Sequence, residues 1–166
     1  MITEPEVVER QAQPYVAIRA HVTMQTIGVT LPELHPQVFA WLGQRNVPPA
    51  GPPFWKYNVI DMDRDLEVEV GVPVPGIVDG DDRVLAGLLP AGRYATLRYT
   101  GHPDGLLGAT GSLQEWAGQQ NLTWDVARTE DGERWAARLE IYETDPAVQP
   151  DMNKWVTQLA FRLAGP

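Results

Sequence analysis

A chain of 166 residues with 43% apolar and 21% charged residues has the make-up of a folded soluble protein of one sizeable domain or two fused modules. Its formal charge of −9 opposes binding to DNA, RNA or anionic lipid, because phosphate recognition needs a basic surface. The absence of cysteine excludes disulfides, thiolate metal sites and a cysteine nucleophile, and no run approaches the roughly 18 apolar residues of a membrane span.

The N-terminal Met-Ile-Thr-Glu-Pro-Glu is acidic and lacks a signal peptide's basic-then-apolar order, so a cytoplasmic location is expected. Tyr15 to Val22 has strand composition. Thr30-Leu31-Pro32-Glu33 carries a capping-box pattern with Pro in the first turn. It predicts a helix with Leu34, Val38, Trp41 and Leu42 on one stripe, stopping at Asn46 before the Pro-rich run Val47 to Pro53. Phe54 to Val59 and Leu66 to Val72 alternate as two strands about a turn at Asp61 to Asp65, predicting a hairpin with Trp55 and Tyr57 on one face. Residues 73 to 82, rich in Pro, Gly and Asp, read as a linker.

Beyond the linker the sequence begins again. Arg93-Tyr94-Ala95-Thr96-Leu97-Arg98 echoes Pro14-Tyr15-Val16-Ala17-Ile18-Arg19, and Trp116-Ala117-Gly118-Gln119-Gln120-Asn121-Leu122 echoes Trp41-Leu42-Gly43-Gln44-Arg45-Asn46-Val47. Ser112 is the expected cap of the second helix. Strands over Ala136 to Glu143 and Trp155 to Leu163 complete the second half. The expected fold class is α+β: a pseudo-twofold duplication of a strand-helix-strand-strand unit, with a ligand cleft between the halves. It forms a single domain over residues 1–166, with repeat halves at about 5–75 and 83–164.

The stretch Trp135 to Tyr142 concentrates the chemistry. Leu139 and Ile141 point one way, Arg138, Glu140 and Tyr142 the other. A carboxylate among aromatic residues on a strand is either part of a solvated face or an anionic site for a cationic ligand, and the pattern leaves both open. Other motifs are weaker. Asp61 to Asp65 starts like a calcium loop, but Leu66 and Val72 stand where Gly and Glu are needed. Gly105 to Ser112 is not followed by Gly-Lys-Ser/Thr, so a phosphate loop is not supported. Ser112 is the only serine, and a helix cap is a poor nucleophile. His21, His35 and His102 lack metal-ligand spacing and read as surface or turn residues, so neither metal nor cofactor is expected. Glu67 and Glu69 read as the solvent face of their strand, and Asp79, Asp81 and Asp82 as solvated. Trp41 and Trp116 fit a helix core, or else two equivalent rings flanking one flat ligand.

Several of these segments resemble a known family. Gly51-Pro52-Pro53-Phe54-x-x-Tyr57, Glu69-Val70-Gly71-Val72-Pro73, Leu89-Pro90-Ala91-Gly92-Arg93-Tyr94 and Glu140-x-Tyr142, with Val8 to Ala17 and Phe39-Ala40-Trp41-Leu42, look like the GyrI-like (gyrase-inhibitor-like) small-molecule-binding family. Similar domains form the effector-sensing half of some AraC- and MerR-type regulators. This chain has no room for a helix-turn-helix and is expected to be a stand-alone version.

The resemblance implies a cleft for hydrophobic, aromatic, often cationic compounds, with a multidrug-binding, resistance or sensing role and no direct nucleic acid or membrane binding. It makes Glu140 the acidic pocket residue, with Tyr57 and Tyr142 as partners; Trp55, Trp41 and Trp116 complete the expected ligand-binding set. Arg138 is the expected partner of Glu140 in the empty site. The alternative is a hydrolase of reactive cyclopropane-type toxins, with Glu140 as general base and Tyr57 or Tyr142 handling the leaving group. A protein partner has no supporting feature.

Overall fold

Apolar residues at alternate positions make strands the main regular structure of this chain. The computed structural model describes residues 1–165. In order, β1 (Glu6–Arg10) and β2 (Gln13–Val22) precede a short helical turn α1 (Ile27–Thr30) and helix α2 (Leu34–Gln44). Then come β3 (Phe54–Ile60), β4 (Leu66–Pro73), β5 (Leu85–Leu89), β6 (Gly92–Thr100) and helix α3 (Leu106–Gln119). The arm β7 (Val126–Thr129) and β8 (Gly132–Trp135) leads to β9 (Arg138–Tyr142) and β10 (Val156–Arg162). Among the described residues these strands form one sheet of order β1-β6-β10-β9-β3-β4-β2-β5, with β8 bridging β7 to β3.

That order reads the same outward from the β9–β3 centre, and every pairing is antiparallel. Each half contributes a further edge strand. β1 crosses to pair with β6, and β5 crosses to pair with β2, so each half closes the other's open edge. The strand-helix-strand-strand unit expected from sequence therefore gains a leading strand in each half. β1 and β5 are partly exposed and short, so neither has the clean alternation that marks β4.

Both helices lie on one face of the sheet. α2 packs over β2 and β4, α3 over β6, and the central pair β9–β3 runs between them. Leu66, Val68, Leu97, Leu113, Leu159 and Phe161 anchor the main core under the helices, each 2% exposed or less. Burying such a side chain contributes about 1.5–3 kcal/mol. The echo between Trp41–Val47 and Trp116–Leu122 proves to be a helix-stop device. Asn46 and Asn121 take left-handed φ of 56° and 57°, and Val47 and Leu122 return N–H bonds of 3.1 and 3.0 Å to Leu42 and Ala117.

Three local expectations are corrected. Thr30 ends α1 instead of capping α2, whose N-cap Glu33 makes no side-chain bond. Ser112 lies inside α3, which starts at Leu106 after a turn that the His102 side chain caps. Trp135 to Tyr142 is not one strand: Trp135 closes β8, and β9 starts at Arg138 after Ala136 and Ala137. Most of the linker is exposed, with Asp79, Asp81 and Asp82 at the surface as expected, but Asp81 also has partners. Asp81 accepts from the Trp41 indole at 2.8 Å and from Arg45 at 3.1 Å, while Val74 and Val84 are buried beside Trp41. The Trp41 bond and two backbone N–H bonds hold the Asp81 carboxyl down to about 2.

Candidate functional site

The β9–β3 register sets Glu140 directly across from Trp55, at the floor of the space between α2 and α3. Because side chains alternate, Arg138, Glu140 and Tyr142 share the helix-side face, and Leu139 and Ile141 fill a core beneath the sheet. Glu140 is only 9% exposed. The Tyr142 hydroxyl donates to its Oε1 at 2.7 Å, and the Tyr57 phenol faces the same carboxyl group from β3. Burial pushes the Glu140 pKa up; the two phenols and then Arg138 pull it back only in part. Both phenols are themselves raised well above the ordinary tyrosine range by burial and the nearby carboxylate, so they stay protonated donors.

Arg138 is not the ion-pair partner that its position on the strand suggests. Its guanidinium lies 4.6 Å from the ring centre of Phe161 and 4.8 Å from that of Trp135, and burial lowers its pKa. Among the described residues no cationic side chain comes within 4.0 Å of the Glu140 carboxylate. The site is a buried carboxyl group beside two neutral phenols, one of which donates to it.

Aromatic rings surround it. The Tyr142 ring meets Trp55 edge-on at 5.2 Å and His35 at 6.0 Å, and His35 stacks on Trp55 at 6.1 Å. The Trp55 indole N–H donates to His35 Nε2 at 2.7 Å, which fixes His35 as the neutral Nδ1–H tautomer. Burial lowers the His35 pKa accordingly. Sequence reasoning placed His35 at the surface. The signal that could have found it is helical spacing, since His35 stands three residues before the buried Val38 and enters the cleft from the first turn of α2.

The expected site residues thus divide. Glu140, Tyr142, Tyr57 and Trp55 come together on β9 and β3. Trp116 is half-buried on α3 against the same main core as Trp55 and Tyr57, but makes no ring pair with them among the described residues. Trp41 is elsewhere: 7% exposed, packed with Val16, Ile18, Val38 and Val72, and capped by Arg45 at 3.8 Å. The two equivalent tryptophans do not flank a common space, because Trp41 is drawn outward to Asp81. No three His, Cys, Asp or Glu side chains gather into a metal-binding group among the described residues, and no helix is long and apolar enough to cross a membrane.

Glu69, expected to face solvent, is 3% exposed on the opposite side of the sheet, where Tyr15, Asn58, Arg19 and Lys56 surround it. β2 lies beside β4 and supplies Tyr15 and Arg19, a tertiary pairing that strand alternation cannot reveal.

No curated protein sequence matches the chain. Solved structures match its fold at low identity. EcmrR in its DNA complex superposes with a TM-score of 0.77 at 15% identity over 98% of this chain, which spans 58% of that one. SAV2435 bound to tetraphenylphosphonium gives 0.63 at 10% identity, covering 98% of this chain and 95% of that one. A hydrolase from Listeria innocua gives 0.66 at 12% identity, covering 97% and 92%. The model of the GyrI-like small molecule binding domain matches residues 3–164, and the chain belongs to that family.

Proposed function

We propose that this protein binds hydrophobic, aromatic, cationic small molecules at Glu140, for multidrug binding or sequestration with a resistance or sensing role. The observation that carries the reading is a buried carboxylate with no cationic partner, ringed by Trp55, Tyr57, Tyr142 and His35. Folding has already stripped its water, at a cost that the raised pKa records. A lipophilic cation supplies the missing counter-charge while losing little hydration of its own. Each aromatic face adds cation–π attraction of about 0.5–2 kcal/mol. None of these contacts reads a particular functional group, so tolerance of shape follows. SAV2435, solved with the aromatic cation tetraphenylphosphonium, supports this ligand class.

Tyr142, Trp55 and His35 pack against one another beside the buried Glu140, so binding is expected to rearrange these rings. The symmetric sheet order supports a single domain over residues 1–166 with halves at about 5–75 and 83–164. The charge of −9 argues against direct DNA contact, with a cytoplasmic role as the natural setting.

The test uses Trp fluorescence with three ligands of one shape class: tetraphenylphosphonium, neutral triphenylphosphine oxide and anionic tetraphenylborate. The cation is expected to bind tightest and the anion weakest. Preference for tetraphenylborate overturns the reading.

The hydrolase likeness favours a second reading, in which Glu140 takes a proton from water and Tyr57 or Tyr142 protonates the carbon released as a strained ring opens. Water's oxygen bonds to one ring carbon as the adjacent carbon–carbon bond breaks. Incubation with an electrophilic cyclopropane, followed by mass spectrometry for the hydrated product, tests it; unchanged substrate rules it out.

A further inference from the structure

The two faces of β3 differ completely in chemistry. Lys56 and Asn58 alternate with Trp55 and Tyr57, and Glu67 and Glu69 alternate with Leu66 and Val68, so this polar set lies on the side of the sheet away from Glu140. There a cavity of about 610 Å³ opens against the β7–β8 arm, a size suited to a small organic ligand. Register builds its floor: Lys56 pairs with Glu69, and Glu69 with Arg19, making one row across three strands.

The row's hydrogen-bonding capacity is unevenly used. Glu69 accepts from the Tyr15 hydroxyl on Oε1 and from the Asn58 amide on Oε2, with Arg19 at 3.6 Å and Lys56 at 3.8 Å. Both of its oxygens are thus engaged. Asp125 is paired with Arg162, and Glu67 is shared between Arg19 at 3.9 Å and His21 at 3.8 Å. The donors are in surplus. The Lys56 ammonium, on a side chain only 11% exposed, makes one hydrogen bond, to Asn58 Oδ1, out of three available. Arg19 makes only the long ion pairs just given, and Arg134 makes neither ion pair nor side-chain hydrogen bond among the described residues. A buried ammonium with unspent donors and two guanidinium groups at the mouth call for an anion. Val126 and Ala127 on the facing wall offer apolar contact to its carbon skeleton.

We propose that this cavity is a second binding site, for small organic carboxylates, with Lys56 as the buried contact and Arg19 and Arg134 at the rim. It is independent of the Glu140 site in position and opposite to it in ligand charge.

The probe is phthalate, with uncharged phthalamide as its isostere, titrated calorimetrically and followed by amide chemical shifts. Phthalate is expected to bind, phthalamide not, with shifts confined to the neighbourhood of Lys56, Asn58, Arg19 and Arg134. Lys56→Met, which keeps the apolar stem, is expected to weaken phthalate by about tenfold or more, and Arg134→Ala by about threefold or more. Arg134 is exposed, so its variant keeps the test valid if Lys56→Met folds poorly. Glu140→Gln is expected to leave phthalate affinity unchanged. No phthalate binding up to about 10 mM, equal binding of the amide, or full affinity in Arg134→Ala overturns the proposal.

Discussion

Replacing Glu140 by Gln removes one charge and changes almost nothing else. The amide oxygen can still accept from Tyr142, and side-chain length is kept, so the aromatic packing has no reason to move. The loss for a cationic ligand follows from the site. A cation at about 4.5 Å from the carboxylate in a medium of effective dielectric about 20 gains roughly 3–4 kcal/mol of gross Coulomb energy. Part of that is offset, because Arg138 already contributes a weak favourable field and the ligand still loses some hydration. A net loss of about 1–3 kcal/mol is expected, which is roughly a 5- to 150-fold rise in Kd for tetraphenylphosphonium at pH 8. Triphenylphosphine oxide should change by less than about twofold. Stability moves the other way. A raised pKa means that the fold disfavours the ionised carboxylate, a penalty fully present above the folded pKa and relieved as pH falls towards the unfolded value. At pH 8 the Gln variant should therefore melt no lower than the parent. Equal weakening of cation and neutral ligand, or a melting temperature well below the parent's, would refute the electrostatic reasoning.

Tyr142→Phe deletes the 2.7 Å donor to Glu140, so the carboxyl pKa should rise further; the pH midpoint of tetraphenylphosphonium affinity should move to higher pH, with no such midpoint in Glu140→Gln. His35 has a folded pKa below its ordinary 6.5, so the unfolded chain takes up a proton first and stability should fall as pH drops through 6.5 towards the folded value. His35→Leu should flatten that fall in urea titrations, measured in the Glu140→Gln background to remove the opposite contribution of Glu140. Trp41→Phe loses the Asp81 bond and much of the Arg45 stack, and should cost about 1–3 kcal/mol of stability while leaving tetraphenylphosphonium affinity within about twofold. Asn121→Ala forces a left-handed φ of 57° on alanine and should cost about 1 kcal/mol by denaturant melt, with Asn121→Gly close to neutral.

The residues that sequence reasoning located were those whose role is written into one strand or one helix turn. Alternation placed Trp55 and Tyr57 on one face of β3 and Glu140 and Tyr142 on one face of β9, because period two is a property of a single strand. What it misjudged depended on a neighbour from elsewhere in the chain. Arg138 shares a face with Glu140, yet its guanidinium is claimed by Phe161 on β10 and Trp135 on β8. Glu69 has the pattern of a solvated residue, yet β2 brings Tyr15 and Arg19 over it. Trp41 and Trp116 are equivalent in sequence, and both helices end in the same left-handed Asn, but only the first half has an Asp81 to hold its indole. Equivalence in the repeat fixed how the helices stop. It did not fix what their rings touch.

The separation of the two faces rests on register, and this ties the candidate sites to each other. Trp55-Lys56-Tyr57-Asn58 sends aromatic residues to the Glu140 side and polar ones to the Glu69 side. A slip of one residue in β3 would put Lys56 among the helix-side rings and Trp55 beside Glu69, so neither site tolerates it. β3 is pinned on both flanks, by β9 from Phe54 to Lys56 and by β4 along most of its length, and the register shift comes only after Tyr57. Gly71 adds a lock. A Cβ there would stand 2.6 Å from the Phe54 ring, so only glycine lets that ring lie across β4 and hold the pairing Phe54–Gly71. Gly71→Ala should therefore disturb both sites together, weakening tetraphenylphosphonium and phthalate in parallel, whereas Glu140→Gln and Arg134→Ala each weaken one alone. Loss of a single ligand class in Gly71→Ala would show that the two faces are not coupled through β3.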